Sequence, residues 1–244
     1  MNIEALTDVG KIRKINEDSF KCFTSDKYSY AIVADGMGGH LAGEVASKMA
    51  VDIIGEYIAE NLKDDLDRFQ AKEIINRAFK KANALIYEYS CENERVMGMG
   101  TTATLCMIRD GYLIYAHIGD SRAYIISDTI KQITRDHSYV QELVKLGQIT
   151  PEEAKHHPRR NYITRAMGVE DTVRADVGIE PYCGETVLIC SDGLYGEIED
   201  DELFEYVKSK PPKDGVIRLT ELANERGGSD NITAVIMEGE KADA

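Results

Sequence analysis

Residues 101–126, which read TTATLCMIRDGYLIYAHIGDSRAYII, decide the fold class of this chain. Three apolar runs follow one another there, at 101–108, 112–118 and 123–126, and their residue types favour strands. The Asp110-Gly111 pair between the first two runs is typical of a hairpin turn. Connections this short cannot hold a crossover helix, so the stretch predicts consecutive antiparallel strands.

The rest of the chain mixes strands and helices without the regular βαβ order of a Rossmann-like fold. Stretches 45–58 and 74–89 each keep one helical face apolar, which predicts two long helices packed on a sheet. The other predicted elements are strands at 28–34, 186–190 and 232–237, and helices at 138–146, 201–208 and 214–226.

Composition narrows the class of protein. The 244 residues include 29 basic and 43 acidic ones, a formal net charge of −14, and 43% are hydrophobic. We expect one globular domain over 1–244, and the acidic field argues against nucleic acid and anionic lipid as general partners. No apolar stretch reaches the roughly 18 residues that cross a bilayer, and residues 1–14 lack the apolar core of a signal peptide.

The cysteines agree with an intracellular chain. None of the five forms a Cys-x-x-Cys pair, and several lie in apolar runs, so we predict buried free thiols rather than a disulfide framework or a zinc site. The expected location is the cytoplasm.

Aspartates recur where apolar runs end. Asp35, Asp120 and Asp192 follow such runs, and Asp230 precedes one, each beside a glycine or serine. Ordinary turn chemistry explains any one of these positions. Four together favour a shared site for Mg²⁺ or Mn²⁺, which prefer carboxylate, carbonyl and water oxygens.

The segment 13–18 adds an arginine and two more acids. A guanidinium can hold two phosphate oxygens at once, so Arg13 near a cluster of metal-binding acids indicates phosphoryl chemistry. The alternative is that Lys11, Arg13 and Lys14 form a solvated face balanced by Glu17 and Asp18.

An ordered set of motifs spans nearly the whole chain. The motifs are Arg13-x-x-Asn16-Glu17-Asp18-Ser19, Asp35-Gly36-Met37-Gly38-Gly39-His40, Gly100-Thr101-Thr102, Gly119-Asp120-Ser121-Arg122, Thr134-Arg135-Asp136-His137-Ser138, Thr164-Arg165-Ala166-Met167-Gly168, Ser191-Asp192-Gly193-Leu194 and Ser229-Asp230-Asn231-Ile232-Thr233. Each motif is weak alone, but their order is specific. The ordered set resembles the bacterial form of the type 2C metal-dependent protein phosphatases, the PPM family.

This resemblance implies an α+β fold, a four-layer αββα sandwich of two antiparallel sheets flanked by helices on both faces. It implies hydrolysis of phosphoserine and phosphothreonine in proteins, by a hydroxide that bridges two metal ions, in opposition to a bacterial serine/threonine kinase. The expected partners are phosphorylated proteins and that kinase, and the expected assembly is a monomer.

The resemblance also implies roles for particular residues. Asp35 would bridge two Mn²⁺ or Mg²⁺ ions, the Gly36 carbonyl would bind one, and Asp192 and Asp230 would complete the protein ligands. The remaining assignments are Asp120, with Asp192, for a third and weaker ion, Glu17 and Asp18 acting through water on the metals, and Arg13 as the catalytic and substrate-binding clamp on the phosphate.

The proton for the leaving oxygen has more than one possible source. Many eukaryotic relatives carry histidine directly after the Asp-Gly pair, where this chain has Met37. His40 is the nearest replacement and the expected catalytic acid, since its ordinary pKa suits proton transfer near neutrality. A helix-capping role for His40 and a metal-bound water as the acid are the alternatives. Tyr195, beyond the Asp192 position, is expected to leave metal binding unaffected.

Residues 138–162 correspond to the flap that varies among bacterial relatives. They hold an unusual basic cluster for an acidic protein, which consists of His156, His157, Arg159 and Arg160. We expect this cluster to meet acidic or phosphorylated surfaces of partners, and a solvated helix end is the alternative.

Two rival functions share parts of this pattern. A pseudo-phosphatase would keep the fold and bind phosphoproteins without turnover, but every inferred ligand position is intact. A two-metal nuclease would need a cationic path for the nucleic-acid backbone, which a net charge of −14 disfavours.

Overall fold

We describe the protein from a computed structural model, which covers residues 1–37 and 42–239. The strands are β1 (Asn2–Asp8), β2 (Asp18–Thr24), β3 (Tyr28–Met37), β4 (Gly100–Thr101), β5 (Ala103–Arg109), β6 (Tyr112–Ile118), β7 (Arg122–Ile126), β8 (Ile130–Gln132), β9 (Asp176–Pro181), β10 (Thr186–Cys190) and β11 (Ile232–Glu238). The α-helices are α1 (Gly43–Asn61), α2 (Arg68–Glu92), α3 (Tyr139–Lys145), α4 (Pro151–Lys155), α5 (Asp192–Tyr195), α6 (Asp200–Ser209) and α7 (Pro212–Glu225).

The strands form two antiparallel sheets. One sheet has the order β1-β11-β10-β7-β8, and the other has the order β2-β3-β5-β6-β9, with the short β4 paired to β3. The predicted hairpin is confirmed, since Arg109 lies opposite Tyr112 and the two turn residues between them have φ angles of 50° and 73°. Both values lie in the left-handed region that a two-residue hairpin turn requires.

Successive side chains along the central strands pack into different apolar layers. Val33 and Ile189, from opposite sheets, lie in the layer between the sheets. Their neighbour Ile32 turns the other way, into the layer under α1 and α2, and Leu188 turns into the layer under α6 and α7. Because these strands are buried on both faces, they read as continuous apolar runs. The α+β four-layer sandwich is therefore confirmed.

The two long helices extend beyond the predicted stretches. α2 begins at a capping box, in which the Asp67 carboxylate accepts from the Gln70 amide at 2.8 Å and the Gln70 side chain accepts from the Asp67 amide at 2.9 Å. The buried Arg109 donates from Nη2 to the carbonyls of Lys63, Asp64 and Leu66. Arg109 therefore fixes the connection between α1 and α2.

Some features differ from the expectations. The edge strands β1, β2 and β9 and the short helix α4 were not predicted, because each carries a mixed polar pattern or too few residues for a periodic signal. Cys106 and Cys190 are buried as expected, whereas Cys22, Cys91 and Cys183 are exposed. In the described part of the chain, no helix combines the length and the apolar character needed to span a membrane.

Candidate active site

The topology gathers the predicted acids at one end of the two sheets. Asp18 lies directly opposite Asp35 in the register of β2 and β3. Asp192 follows β10 and Asp230 precedes its antiparallel neighbour β11, so both lie at the same end of the second sheet. Asp120 follows β6. Burial, and after it the charges of all four other acids, raise the pKa of Asp35. Asp35 therefore lies within reach of the charges of the four other acids.

Two threonines fix the main chain of Asp35. Its amide donates to Thr102 Oγ1 at 2.9 Å, and its carbonyl accepts from the Thr102 amide at 2.8 Å and from Thr101 Oγ1 at 2.9 Å. Burial, followed by the charge of Asp18, raises the pKa of the Asp35 carboxyl well above its ordinary value. The backbone is thus held while the carboxylate faces other acids.

Asp18 is held by one of its two carboxylate oxygens. Its Oδ2 accepts from Ser191 Oγ at 2.7 Å and from Thr233 Oγ1 at 2.6 Å. Burial raises the pKa of Asp18 to about 7, and these two hydrogen bonds oppose that shift. The second oxygen, Oδ1, is buried without a hydrogen-bond partner among the described residues.

Asp192 and Asp120 repeat this pattern. Burial raises the pKa of Asp192 to about 6, with a further contribution from the charge of Asp230. The side chain of Asp120 is also buried, and burial together with the Asp192 charge raises its pKa well above the ordinary range. In each residue Oδ1 is buried and has no hydrogen-bond partner within the described part of the chain.

These unpartnered oxygens test whether the residues suit divalent cations. A buried acceptor without a partner is costly, and a cation relieves that cost for several carboxylates at once. Within residues 1–37 and 42–239, no three His, Cys, Asp or Glu side chains are close enough together to form a compact metal-binding cluster. The acids nevertheless lie near enough for their charges to raise one another's pKa values. This donor set fits Mg²⁺ or Mn²⁺, since hard cations bound through few carboxylates complete their coordination with water and carbonyl oxygens.

Gly36 lies where three chain segments meet. Its amide donates to the Glu17 carbonyl at 3.1 Å, and a Cβ at this position would overlap the Gly43 carbonyl at the start of α1. A Cβ on Gly43 would in turn overlap the Glu17 side chain. Glycine at both positions is therefore needed for the end of β3 to approach α1 so closely.

Glu17 extends the acidic region toward α1. Burial raises its pKa, the charge of Arg13 opposes the shift, and the charge of Glu44 adds to it. The Glu17 amide donates to Asn231 Oδ1 at 2.8 Å. Glu17 is therefore fixed beside the acids through its backbone.

Arg13 lies at the rim of the site, with 47% of its side chain exposed. Its Nη2 donates to Asp230 Oδ2 at 2.7 Å, and its Nη1 lies 3.8 Å from Glu17 Oε2. The structure thus brings the predicted phosphate clamp to the predicted ligand Asp230. His40, the expected proton donor, lies outside the described residues.

Several polar residues of the site carry roles that sequence reasoning missed. Asn231 donates from its amide group to the carbonyls of Val9 and Ile15, which ties the 9–15 loop to the start of β11. Thr102 holds Asp35, and Ser191 and Thr233 hold Asp18. Their polar character within or beside buried strands is the sequence feature that could have indicated these roles.

Part of the basic cluster of the flap lines a cavity that the acids also line. The lining of this cavity, of about 680 Å³, includes Asp120 and Asp192 together with Lys155, His156 and Arg160. Lys155 also bridges to Glu199 at 2.6 Å, which joins α4 to the start of α6. Basic side chains of residues 138–162 therefore share this cavity with Asp120 and Asp192.

Comparisons with known proteins agree on one family. A family model described as protein phosphatase 2C matches residues 12–232. A serine/threonine phosphatase stp of Listeria innocua is 39% identical, over 98% of this chain and 96% of the relative. The crystal structure of the serine/threonine phosphatase Stp1 from Staphylococcus aureus is similar at a TM-score of 0.91 and 37% identity, over 98% of this chain and 95% of that one.

One related solved structure contains divalent cations. It is the catalytic domain of the serine threonine protein phosphatase PstP in complex with two manganese ions, with a TM-score of 0.83 and 34% identity. The match covers 96% of each chain. The relative that binds manganese therefore shares both fold and sequence with this protein.

Proposed function

The chain belongs to the protein phosphatase 2C family and is a metal-dependent serine/threonine protein phosphatase, and from this premise we propose that the acids around Asp35 carry its chemistry. The observation that supports this assignment is the set of buried, unpartnered Oδ1 atoms of Asp18, Asp120 and Asp192 around Asp35. A position that neutralises several buried carboxylates together is one that divalent cations fill.

In the proposed arrangement, Asp35 would hold two Mn²⁺ or Mg²⁺ ions, one of them together with the Gly36 carbonyl. Asp192 and Asp230 would complete the protein ligands, and Asp120 would join Asp192 in holding a third, weaker ion. When bound, such cations lower the pKa of a water held between them and offset the negative charge that develops on phosphate.

The protein's own groups position the substrate and the attacking water. Arg13, oriented by its bond to Asp230 at 2.7 Å, presents its remaining N–H groups to the phosphate oxygens. Asp18 Oδ1 accepts a hydrogen bond from the attacking water, because Oδ2 is already occupied by two hydroxyl donors. Glu17 supports the same water network, and His40 supplies the proton to the leaving serine or threonine oxygen.

The partners follow from the chemistry of the substrate. The enzyme acts as a monomer in the cytoplasm on phosphorylated proteins and opposes a bacterial serine/threonine kinase. Residues 138–162 serve as the flap, and their basic cluster meets acidic or phosphorylated surfaces beside the cavity. No nucleic acid or membrane insertion is involved.

Phosphate release from a phosphothreonine peptide tests the proposal. We expect no turnover in EDTA and recovery with added Mn²⁺ or Mg²⁺. Asp35→Asn should lower the rate at least about a hundredfold, since metal ions supply several kcal/mol of charge stabilisation. Asp65→Asn, an exposed acid between α1 and α2, is the matched control and should keep the wild-type rate.

Two results would contradict this assignment. A folded Asp35→Asn protein with near wild-type activity would remove Asp35 from the central role. A folded wild-type protein that releases no phosphate with any divalent cation would favour the phosphoprotein-binding alternative, and cleavage of a nucleic-acid substrate would favour the nuclease.

A further inference from the structure

Tyr195 lies beside the proposed metal ligands, although from its sequence position beyond Asp192 we expect no effect on metal binding. It ends α5, the single helical turn that begins with Asp192. Its side chain is partly buried and lines the same cavity as Asp120 and Asp192. Whatever orients Tyr195 therefore also affects a segment that carries one of the proposed ligands.

The hydroxyl of Tyr195 reaches the other ligand segment. It donates to the backbone carbonyl of Asp120 at 3.1 Å. Asp120 is 4% exposed, and its Oδ1 is buried without a partner among the described residues. On its other side, the amide of Gly119 donates to His137 Nδ1 at 3.0 Å. The Asp120 turn is thus held from both directions.

A charged pair holds the ring of Tyr195 in place. The Arg122 guanidinium lies 3.7 Å from the centre of the ring. Arg122 is itself fixed by Asp136, to which it donates from Nη2 at 2.7 Å and from Nε at 3.1 Å. A cation over an aromatic face is attractive, and a guanidinium held at two nitrogens cannot easily swing away. The phenol ring therefore has one well-defined position.

We propose that Tyr195 is a positioning residue that fixes the spacing of Asp120 and Asp192 and thereby sets the affinity of the third cation site between them. The inference rests on the proposed function, because it takes these two acids as the ligands of that ion. Tyr195 acts through the Asp120 backbone and does not touch the cation or the substrate.

Equilibrium binding of Mn²⁺, measured by titration calorimetry on the full chain without substrate, tests this role. Tyr195→Phe removes the hydroxyl and keeps the ring that stacks on Arg122. Tyr124→Phe is the matched control, since the Tyr124 hydroxyl contacts the same arginine at 3.3 Å. Asp120→Asn identifies the class of site that depends on Asp120.

We expect Tyr195→Phe to weaken only the sites that Asp120→Asn abolishes, by about three- to tenfold, which is the value of one hydrogen bond. Tyr124→Phe should bind Mn²⁺ as the wild type does. The Mn²⁺ concentration for half-maximal turnover of a phosphothreonine peptide should rise in Tyr195→Phe by a similar factor.

Wild-type Mn²⁺ affinity at every site of Tyr195→Phe would overturn the inference, even if the variant were less thermostable, because a purely structural role would lower stability alone. Equal weakening of all sites would also overturn it, as would an Asp120→Asn protein that binds Mn²⁺ normally. Failure of the proposed function can be distinguished from failure of this inference, because it would appear as an absence of metal-dependent turnover in the wild type.

Discussion

At the scale of single residues, Arg13 illustrates how one side chain serves two purposes. Its bond to Asp230 anchors the guanidinium at the acids, while 47% exposure leaves the group open to an incoming phosphate. A lysine could supply the charge but could not present a planar pair of donors to two oxygens. We therefore expect Arg13 to act in binding more than in the chemical step.

Arg13→Ala should raise KM for a phosphothreonine peptide about tenfold or more and change kcat much less. The reason is that a charge-assisted contact to the substrate is lost while the attacking water is unaffected. Steady-state kinetics at saturating Mn²⁺ measure both constants. Lys14→Ala, an exposed neighbour, serves as the control, and an unchanged KM in Arg13→Ala would contradict the clamp.

The residues of the site differ in how visible they were from sequence. Asp35, Asp120, Asp192 and Asp230 stand beside glycine or serine at the ends of apolar runs, so a local pattern revealed them. The contact of Ser191 and Thr233 with Asp18 joins positions more than 170 residues apart. No local pattern carries such a contact, because it depends on how the strands are ordered in the sheets.

At the scale of elements, α2 is defined by its first turn as well as by its apolar face. The capping box of Asp67 and Gln70 satisfies amides that would otherwise lack partners at the start of the helix. Arg109 holds the preceding connection through three carbonyls. The start of the helix is thus fixed by contacts outside its periodic pattern.

Asp67→Ala should lower the free energy of unfolding by about 1 kcal/mol and the melting temperature by about 2–4 °C, as expected for loss of a cap in a chain of this size. Differential scanning calorimetry measures the change. Asp65→Ala, two residues earlier and outside the cap, should be close to neutral. Equal effects of the two substitutions would show that the cap is not the cause.

The strands that the sequence predicts are buried, whereas the strands that it does not predict are mostly half-buried. The central strands β5, β6 and β10 are buried on both faces and read as continuous apolar runs. The edge strands β1 and β9 are mostly half-buried, and β9 contains a glycine and a proline that weaken any strand pattern. Their place in the sheets is set by pairing with distant neighbours.

At the scale of the whole molecule, the layer between the sheets contains a titratable group. His117 on β6 lies on the face that Leu113 turns toward the opposite sheet, and its exposed fraction is zero. Its Nδ1 lies 2.8 Å from Thr104 Oγ1, which itself donates to the Ser121 carbonyl. His117 Nδ1 is therefore the donor of that pair, and its Nε2 has no partner among the described residues.

Burial lowers the pKa of His117 from 6.5 to about 4. The unfolded chain therefore binds a proton at this imidazole from pH 6.5 downward, while the folded protein stays neutral until about pH 4. Across that window the unfolded state holds more protons, so stability falls as the pH falls, by about 3 kcal/mol in total.

The variant His117→Asn tests this effect by removing the imidazole. We expect the free energy of unfolding of the wild type, relative to the variant, to decrease between pH 6.5 and pH 4 and to be constant above pH 7. Urea unfolding at a series of pH values measures the difference. A difference that stays constant over the whole range would exclude a neutral, buried His117.

The strand β11 pairs with β1 on one side and with β10 on the other, which matters for folding during synthesis. Asp18, near the amino end, is held by Thr233, and Arg13 is held by Asp230. The site residues that are synthesised first therefore depend on contacts with residues that are synthesised more than 200 positions later. A ribosome that has released only the first two hundred residues has produced most of the core but no organised site. We therefore expect activity only after β11 has paired with both β1 and β10, and we expect a translation product that stops before β11 to release no phosphate from proteins.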